Sequence, residues 1–331
     1  MMVNLMGMPL KNPIIVGAGP WTRNAGTIQK CIDAGAAAVI TESIALEPNP
    51  IICPRFYVCG DQVINTKLYS DMHLEQWEAE FETIKKGDAK LICSIWGSSA
   101  SEIAYLASKV ERMGADAVEI SVSAPIGTRN QAICNHMPNV YEFMRSAVEA
   151  VSIPVMVKLS YEAAISPDFL NAVQAAGVRA VSAIDALKGI CGVDIETAHA
   201  NMPTYGGCTG KQIRPMAMAA TTSIKQYTPM QICSVGGICN FENVVEYLML
   251  GAEAVQLASV IQLNGYGVIS RILKDLENWM SSHGYQEVSE FRGAALPYLR
   301  PFEDLQVRPL ISRLSEPCQE EGCDLCVACC L

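Results

Sequence analysis

Short runs of apolar residues, each bounded by turn-forming residues, recur along the chain. Eight of them have the length and the continuous apolar character of strands that are buried on both faces. Between most of them, apolar residues recur at helical spacing, so the pattern predicts alternating strands and helices. The predicted strands are residues 12–19, 37–44, 91–97, 116–123, 154–160, 178–185, 230–237 and 253–259.

The pattern Gly-x-x-Ala-Val recurs four times where a helix-like stretch gives way to such a run, at residues 35–39, 114–118, 177–181 and 251–255. A glycine with positive φ ends a helix, and the small apolar run after it opens a buried strand. Eight alternations in about 250 residues predict an α/β fold, a (β/α)8 TIM barrel. A doubly wound open sheet is the competing architecture.

Three connections are long, and each follows a predicted strand: residues 45–90, 124–137 and 186–211. In a parallel barrel such βα loops cover the C-terminal mouth, where barrel enzymes carry their catalytic groups. We therefore expect a covered site there. We expect the barrel to occupy residues 1–285, a C-terminal helix and linker residues 286–317, and a cysteine-rich tail residues 318–331.

Composition narrows the function classes. Half of the residues are apolar, which allows a large core, and the formal net charge of -10 disfavours binding to nucleic acid or to an anionic membrane. No run reaches the roughly 18 apolar residues of a membrane span. The 14 cysteines do not form a small disulfide scaffold, so we expect a reducing cytoplasm. A small-molecule partner and a homo-oligomeric state are the remaining expectations.

Small-residue turns cluster late in the predicted barrel. Gly206-Gly207-Cys208-Thr209-Gly210 precedes a helix, Ser234-Val235-Gly236-Gly237 ends the seventh strand, and Ala258-Ser259 ends the eighth. Barrels frequently bind phosphate with the loops after strands seven and eight, because glycines let backbone N–H groups approach the anion. The alternative is that these glycines only permit tight turns.

Lys158 ends the fifth predicted strand, in Val155-Met156-Val157-Lys158-Leu159. An ammonium at the end of a buried strand is costly unless it has a partner. We expect an anionic group of a cofactor or substrate to be that partner. A salt bridge to a neighbouring carboxylate is the alternative.

Several motifs, taken in order, resemble the dihydroorotate dehydrogenase superfamily. They are Asn12-Pro13 with Gly17-Ala18-Gly19, the segment 154–159, the segment 204–215, Val235-Gly236-Gly237-Ile238 and Val255-Gln256. Residues 204–215 and Cys93-Ser94-Ile95 are most similar to the flavin barrel of dihydropyrimidine dehydrogenases. The ordered set is far more specific than any single glycine turn.

The resemblance implies an FMN-dependent oxidoreductase that acts on a C–C bond next to a carbonyl group. It implies that Lys158 lies near the flavin N1/O2 edge, where reduced flavin carries negative charge. It also implies that Asn65 contacts the substrate ring, and we count Asn65 among the cofactor-binding residues as well. The other implied cofactor positions are Gly17, Ala18, Asp185, Gly207, Gly210, Gly236, Gly237, Ala258 and Ser259.

The chain departs from the superfamily where the substrate would lie. Ala124 stands where the superfamily has the Cys that handles a proton, Glu42 replaces a lysine, and Asp185 replaces an asparagine. Two carboxylates in a low-dielectric pocket would repel an anionic substrate, so we expect a neutral or nitrogenous ring of the dihydropyrimidine kind. One carboxyl could be protonated by burial and donate a proton, or the carboxylates could pair with Arg or Lys instead.

Other polar residues near the fourth strand could replace the missing catalytic Cys or set specificity. Cys134 and His136 lie in the loop that resembles the superfamily's substrate loop, and either could supply an acid or a base, although both could be ordinary loop residues. Ser121 and Ser123 are further candidate contacts for the substrate.

The tail carries closely spaced cysteines, Cys318, Cys323, Cys326, Cys329 and Cys330. This spacing suits an iron–sulfur cluster, with zinc or an unmetallated remnant as alternatives. A cluster would connect the flavin to a ferredoxin or to an electron-transfer partner subunit. Two rival functions remain: a non-redox barrel lyase or isomerase of a phosphorylated substrate, and a flavin-carrying electron-transfer subunit without a substrate of its own.

Overall fold

A closed barrel of eight parallel strands forms the centre of the protein. The computed structural model describes residues 1–48, 53–59, 62–122, 137–300 and 302–305. Each strand pairs with its neighbours in chain order, and β8 closes against β1, so the predicted TIM barrel is confirmed and the open sheet is wrong. Numbering the barrel strands only, they are β1 Ile14–Val16, β2 Ala38–Ile40, β3 Lys90–Ile95, β4 Ala117–Ser121, β5 Val155–Leu159, β6 Ala180–Ala183, β7 Gln231–Val235 and β8 Ala254–Leu257.

The repeated glycine motif marks helix ends as predicted. Gly35, Gly114, Gly177 and Gly251 all adopt φ between 91° and 104°, the left-handed region that favours glycine. Each donates its backbone N–H to a carbonyl in the preceding helical turn, and the next barrel strand begins three residues later. The motif therefore sets where β2, β4, β6 and β8 begin.

Helices separate the strands and cover the outside of the barrel, where an apolar core packs between the two layers. Each has a buried apolar stripe, as amphipathic helices of barrels do. The α-helices are Ala25–Asp33, Leu74–Thr83, Ala100–Arg112, Met137–Ala150, Tyr161–Ala164, Pro167–Ala175, Arg214–Tyr227, Phe241–Met249, Ser259–Asn264 and Gly267–Ser282. The described part of the chain has no helix long and apolar enough to cross a membrane.

The lower, N-terminal end of the barrel is filled with apolar side chains. A hairpin of Val3–Leu5 and Met8–Leu10 supplies buried Leu5 and Leu10 to this layer. Small interior residues of the strands, such as Ala38 and Ala180, complete it. Charged interior side chains therefore gather toward the opposite, C-terminal end.

Two of the long connections contain strands that the sequence analysis did not predict. Leu187–Gly189, Gly206–Thr209, Gln62–Asn65 and Phe56–Cys59 form an antiparallel sheet in that order, which we call the mouth sheet. The pairing sets Gly207 opposite Asn65, so it fixes two candidate site residues against each other. Leu187–Gly189 and Gly206–Thr209 contain glycine, which is a weak strand former, and Phe56–Cys59 has strand-forming residues but only four of them.

Residues 1–296 form one compact unit, and residues 297–331 form a second. In the second unit the structure describes residues 297–300 and 302–305, which include the 3-10 turn Phe302–Asp304. Of the three segments expected from sequence, the linker and tail boundaries at 286 and 318 remain predictions.

The mouth sheet makes a specific prediction at Gly206. A Cβ there would lie 2.4 Å from Ile64 Cγ2 and 3.0 Å from the backbone oxygen of Asn65. We expect Gly206→Ala to push these strands apart and to lower the free energy of unfolding by about 1–3 kcal/mol, as measured by urea denaturation. Gly267→Ala is the matched control, because its Cβ meets nothing within 4 Å. Equal stability of the two variants would contradict the close approach.

Candidate active site

Two adjoining cavities open at the C-terminal end of the barrel strands. The glycine cavity is lined by the ends of β7 and β8 and by the mouth sheet, and the acidic cavity by the ends of β2, β4 and β5. The cavities share the residues Ala18, Gly19, Asn65, Lys158, Asp185 and Ala186. The glycine cavity has an empty volume of about 730 Å³ including its open mouth, in the range of small-molecule sites.

The backbone of Gly236 and Gly237 forms one wall of the glycine cavity, in positive-φ conformations of 136° and 68°. A Cβ at Gly236 would lie 2.5 Å from Ala217 Cβ, and one at Gly237 would lie 2.6 Å from Arg214 Cβ. The Tyr247 hydroxyl donates a 2.7 Å hydrogen bond to the Gly236 carbonyl oxygen and holds the turn. Only glycine allows this turn to pack against the start of helix Arg214–Tyr227.

A glycine is also required at Gly17, just after the end of β1, because a side chain there would have no room. The Gly17 N–H donates to the Leu257 carbonyl oxygen at 2.9 Å, and the Trp21 indole N–H donates to the Gly17 carbonyl oxygen at 2.7 Å. A Cβ on Gly17 would lie 2.9 Å from Gln256 Oε1. Gly17 therefore backs the cavity through Gln256, while Ala18 lines it directly.

Lys158 is buried and belongs to a closed ring of polar contacts inside the barrel. Its ammonium donates to Gln256 Oε1 at 2.9 Å and lies 3.2 Å from Glu119 Oε1. Gln256 Nε2 donates to Glu119 Oε2 at 3.0 Å, and the Ser182 hydroxyl donates to the same oxygen at 2.7 Å. The predicted alternative of a salt bridge for Lys158 is thus present, and the same side chain also lines both cavities.

Glu42 reaches the acidic cavity but does not stand alone. Lys67 donates to Glu42 Oε2 at 2.8 Å and to Asp71 Oδ1 at 3.1 Å, and Arg55 lies 3.0 Å from Asp71 Oδ2. Burial raises the pKa of Glu42, and the nearby Lys67 ammonium lowers it by less. Burial pushes the pKa of Asp71 up, but the hydrogen bond and charge of Lys67 outweigh it and hold that pKa below 3.8.

Unsatisfied polar atoms are concentrated at this site. Among the described residues, four buried side-chain polar atoms have no hydrogen-bond partner: Glu42 Oε1, Tyr69 OH, Trp96 Nε1 and Glu119 Oε1. Glu42 and Tyr69 line the acidic cavity, Trp96 stacks on Tyr69 with ring centroids 4.6 Å apart, and Glu119 contacts Lys158. Burial, followed by the charge of Asp185, raises the pKa of Tyr69. Such atoms mark a place where a ligand or water completes the hydrogen bonding.

Most of the residues proposed from sequence come together at the two cavities. Glu42, Ser121 and Gly207 line the acidic cavity, and Asn65, Lys158, Asp185 and Ala18 line both. Of the proposed residues, those that line only the glycine cavity are Gly210, Gly236, Gly237, Ala258 and Ser259. Ser123, Ala124, Cys134 and His136 lie outside the described residues, as do Cys318, Cys323, Cys326, Cys329 and Cys330. Where the chain is described, no three or more His, Cys, Asp or Glu side chains are grouped to hold a metal ion.

Four polar partners were not predicted as site residues from the sequence, although Gln256 belongs to one of the motifs that carry the resemblance. Glu119 and Gln256 each interrupt an apolar strand, in Val118-Glu119-Ile120 and Val255-Gln256-Leu257, and a polar residue at such a position was a usable signal. Lys67 and Asp71 lie in the long connection after β2, where the sequence shows nothing that pairs them with Glu42.

Known proteins that are similar to this chain support the same class of function as the geometry of the site. Residues 1–280 match the family described as dihydroorotate dehydrogenase. The chain is 30% identical over 305 residues to the dihydroorotate dehydrogenase B (NAD(+)) catalytic subunit of Pyrococcus abyssi, which covers 89% of this chain and 98% of the relative. The protein of the same name from Methanosarcina mazei is 32% identical over 304 residues, with 89% and 95% covered.

These matches span nearly the whole barrel with both cavities. They confirm the predicted resemblance to the dihydroorotate dehydrogenase superfamily and the predicted function class, and they leave the non-redox lyase or isomerase without support. The closer similarity to dihydropyrimidine dehydrogenases stays a prediction. The chain belongs to the dihydroorotate dehydrogenase family of FMN-dependent oxidoreductases.

Proposed function

We propose that this chain is a catalytic subunit that binds FMN in the glycine cavity and a small nitrogenous ring in the acidic cavity, and transfers hydride between them. The proposal rests on one observation: the two cavities adjoin, and Lys158, Asn65 and Asp185 line both of them. The glycine cavity is lined by the backbone of glycines, and the acidic cavity is lined by charged side chains. A phosphate-bearing cofactor and a polar ring need these two environments side by side.

The described residues fit FMN. Gly210, Gly236 and Gly237 line the glycine cavity, and backbone amides at glycine turns suit a phosphate. Lys158 would face the flavin edge that becomes negative on reduction. When bound, FMN supplies the acceptor for the hydride. The chain supplies the binding of the phosphate, the positive charge and the exclusion of water by the mouth sheet.

The substrate side supports a neutral ring. The charged side chains that line the acidic cavity are Glu42, Asp185, Lys67 and Lys158. Both lysines are paired with carboxylates, Lys67 with Glu42 and Asp71, and Lys158 with Glu119. The relatives are named for dihydroorotate, which carries a carboxylate. This charge balance favours a dihydropyrimidine-like ring without one. Asn65, Ser121 and Asp185 would contact its amide groups.

A second question is which group moves the proton in the absence of a Cys at Ala124. Glu42 is a supported candidate, because burial raises its pKa and its Oε1 has no hydrogen-bond partner among the described residues. Cys134 and His136 remain proposed alternatives. Substitution of each in turn, with turnover as the readout, separates the three.

Electrons would leave through a partner. The relatives are named as catalytic subunits, which supports an electron-transfer subunit or a ferredoxin as the partner of this chain. We place an iron–sulfur cluster at the five tail cysteines, for which the close spacing is the support, and zinc is the competing occupant.

The proposal predicts a yellow protein whose colour responds to substrate. Purified anaerobically, the full chain should contain FMN close to one per chain, with iron and sulfide if the tail holds a cluster. A dihydropyrimidine should bleach the flavin absorbance, because hydride reaches the bound FMN. A colourless protein that takes up no FMN would refute the proposal. Bound FMN that no ring in a broad panel reduces would instead favour an electron-transfer subunit without its own substrate.

The glycine cavity makes a prediction about two glycines of similar conformation. Gly237 and Gly265 have φ of 68° and 73°, so alanine at either costs about 1–2 kcal/mol in strain. A Cβ meets Arg214 at 2.6 Å in the first and nothing within 4 Å in the second. We expect Gly237→Ala to weaken FMN binding by about tenfold or more, measured by fluorescence titration, and Gly265→Ala to leave it unchanged. Equal loss in both variants would place the phosphate elsewhere.

Glu42 makes a prediction about pH. Its folded-state pKa is raised above 4.5, so its contribution to stability is complete below that pH and is lost as the pH rises through the folded-state value. Glu42→Gln cannot ionise, so the unfolding free energy of this variant, relative to wild type, should increase between about pH 4 and about pH 7. Urea denaturation at both pH values measures this.

The control for Glu42 is Glu149→Gln, on a helix face where Glu149 is exposed and pairs with Arg145. Its difference from wild type should stay nearly constant with pH. A fall in the relative stability of Glu42→Gln with rising pH would show that the ion pair with Lys67 dominates over burial.

A further inference from the structure

The ring around Lys158 has a member that touches neither cavity. Glu119 is fully buried on β4 and lines neither cavity in the described part of the chain, yet it lies 3.2 Å from the Lys158 ammonium. We propose that Glu119 and Gln256 are positioning residues that hold the Lys158 ammonium at the flavin edge and offset its charge, so that Glu119 sets the reduction potential of the bound FMN. The inference rests on the proposed FMN site.

Geometry favours a role beyond packing. Gln256 bridges the pair, since its Oε1 accepts from Lys158 and its Nε2 donates to Glu119, and both contacts need one amide orientation. The Ser182 hydroxyl supplies a further donor to Glu119 Oε2. Four strands, β4, β5, β6 and β8, thus each contribute one side chain to the arrangement. The ammonium is left with little freedom to move away from the cavities.

Charge gives the direction of the effect. A lone ammonium beside the flavin would stabilise the reduced, negatively charged form and raise its potential. A carboxylate 3.2 Å behind the ammonium opposes that field, and burial makes both effects strong because water does not screen them. Wild-type FMN should therefore have a lower potential than it would with Lys158 alone.

The experiment is a spectroelectrochemical titration of FMN bound to the full-length wild-type protein and to Glu119→Gln. The neutral amide keeps the size of the side chain and removes its charge. We expect the potential of the variant to rise, such that the ratio of oxidised to reduced flavin at fixed potential changes by about tenfold or more, equal to about 30 mV for a two-electron couple. Glu119→Asp, which keeps the charge, should return most of the way to the wild-type potential.

Glu253→Gln is the matched control. Glu253 is also a buried carboxylate paired with a lysine, 3.0 Å from Lys225, but it lies immediately before β8, at the opposite end of the barrel. We expect it to lose stability without moving the flavin potential. A potential that is unchanged in Glu119→Gln, or that shifts equally in Glu253→Gln, would overturn the inference.

A second comparison covers the case in which Glu119→Gln does not fold. Removing both members of a buried ion pair costs less than removing one, so Lys158→Met and the double variant Lys158→Met/Glu119→Gln extend the test. The single Lys158→Met should have a lower potential than wild type, because Glu119 is left uncompensated, and the double variant should recover part of it. Equal potentials in these two variants would likewise overturn the inference. Failure to bind FMN in the wild type would instead refute the proposed function.

Discussion

Closure of the parallel barrel is the constraint on which the site depends. All eight strands run in one direction, so their C-terminal ends meet around one mouth, and residues far apart in sequence become neighbours there. The apolar layer of Leu5, Leu10 and small strand residues fills the opposite end. Polar side chains inside the barrel are therefore confined to the mouth half, where Glu119, Lys158 and Gln256 contact one another.

Charge at the mouth is organised in pairs. Lys158 is matched by Glu119, and Lys67 by Glu42 and Asp71, as burial requires when ammonium groups leave water. Pairing has a chemical consequence, because neither lysine presents an uncompensated positive charge to a ligand. In the proposed function, the flavin edge would face a lysine whose charge is partly offset by Glu119, and the substrate would enter a pocket whose lysines are both paired. Such a pocket differs from one built to hold a carboxylate.

The barrel could be predicted from the sequence because the patterns that specify it are local. The glycine motif needs positive φ at four positions, and a barrel strand begins three residues after each of them. These positions are Gly35, Gly114, Gly177 and Gly251. Lys158, Glu42 and Asp185 were also accessible, since each follows or ends an apolar run whose end must lie at the mouth.

What the sequence did not reveal depends on contacts between distant segments. The mouth sheet pairs residues 62–65 with 206–209, and no local pattern sets that register. Lys67 could likewise not be predicted as the partner of Glu42. The loop that contains Lys67 folds back onto Glu42, and no local sequence pattern indicates that contact. The Glu119 contact was missed for another reason: a carboxylate in the middle of an apolar strand was treated as part of the strand rather than as a buried charge in need of a partner.

A crystal structure of the FMN-loaded protein would show directly where the cofactor binds and what Lys158 contacts. We expect the phosphate against the Gly236-Gly237 turn and the flavin ring across the junction of the two cavities. The Lys158 ammonium should lie within hydrogen-bonding distance of the N1/O2 edge and should still contact Glu119. A phosphate bound away from these glycines, or a ring whose N1/O2 edge points away from Lys158, would contradict this expectation.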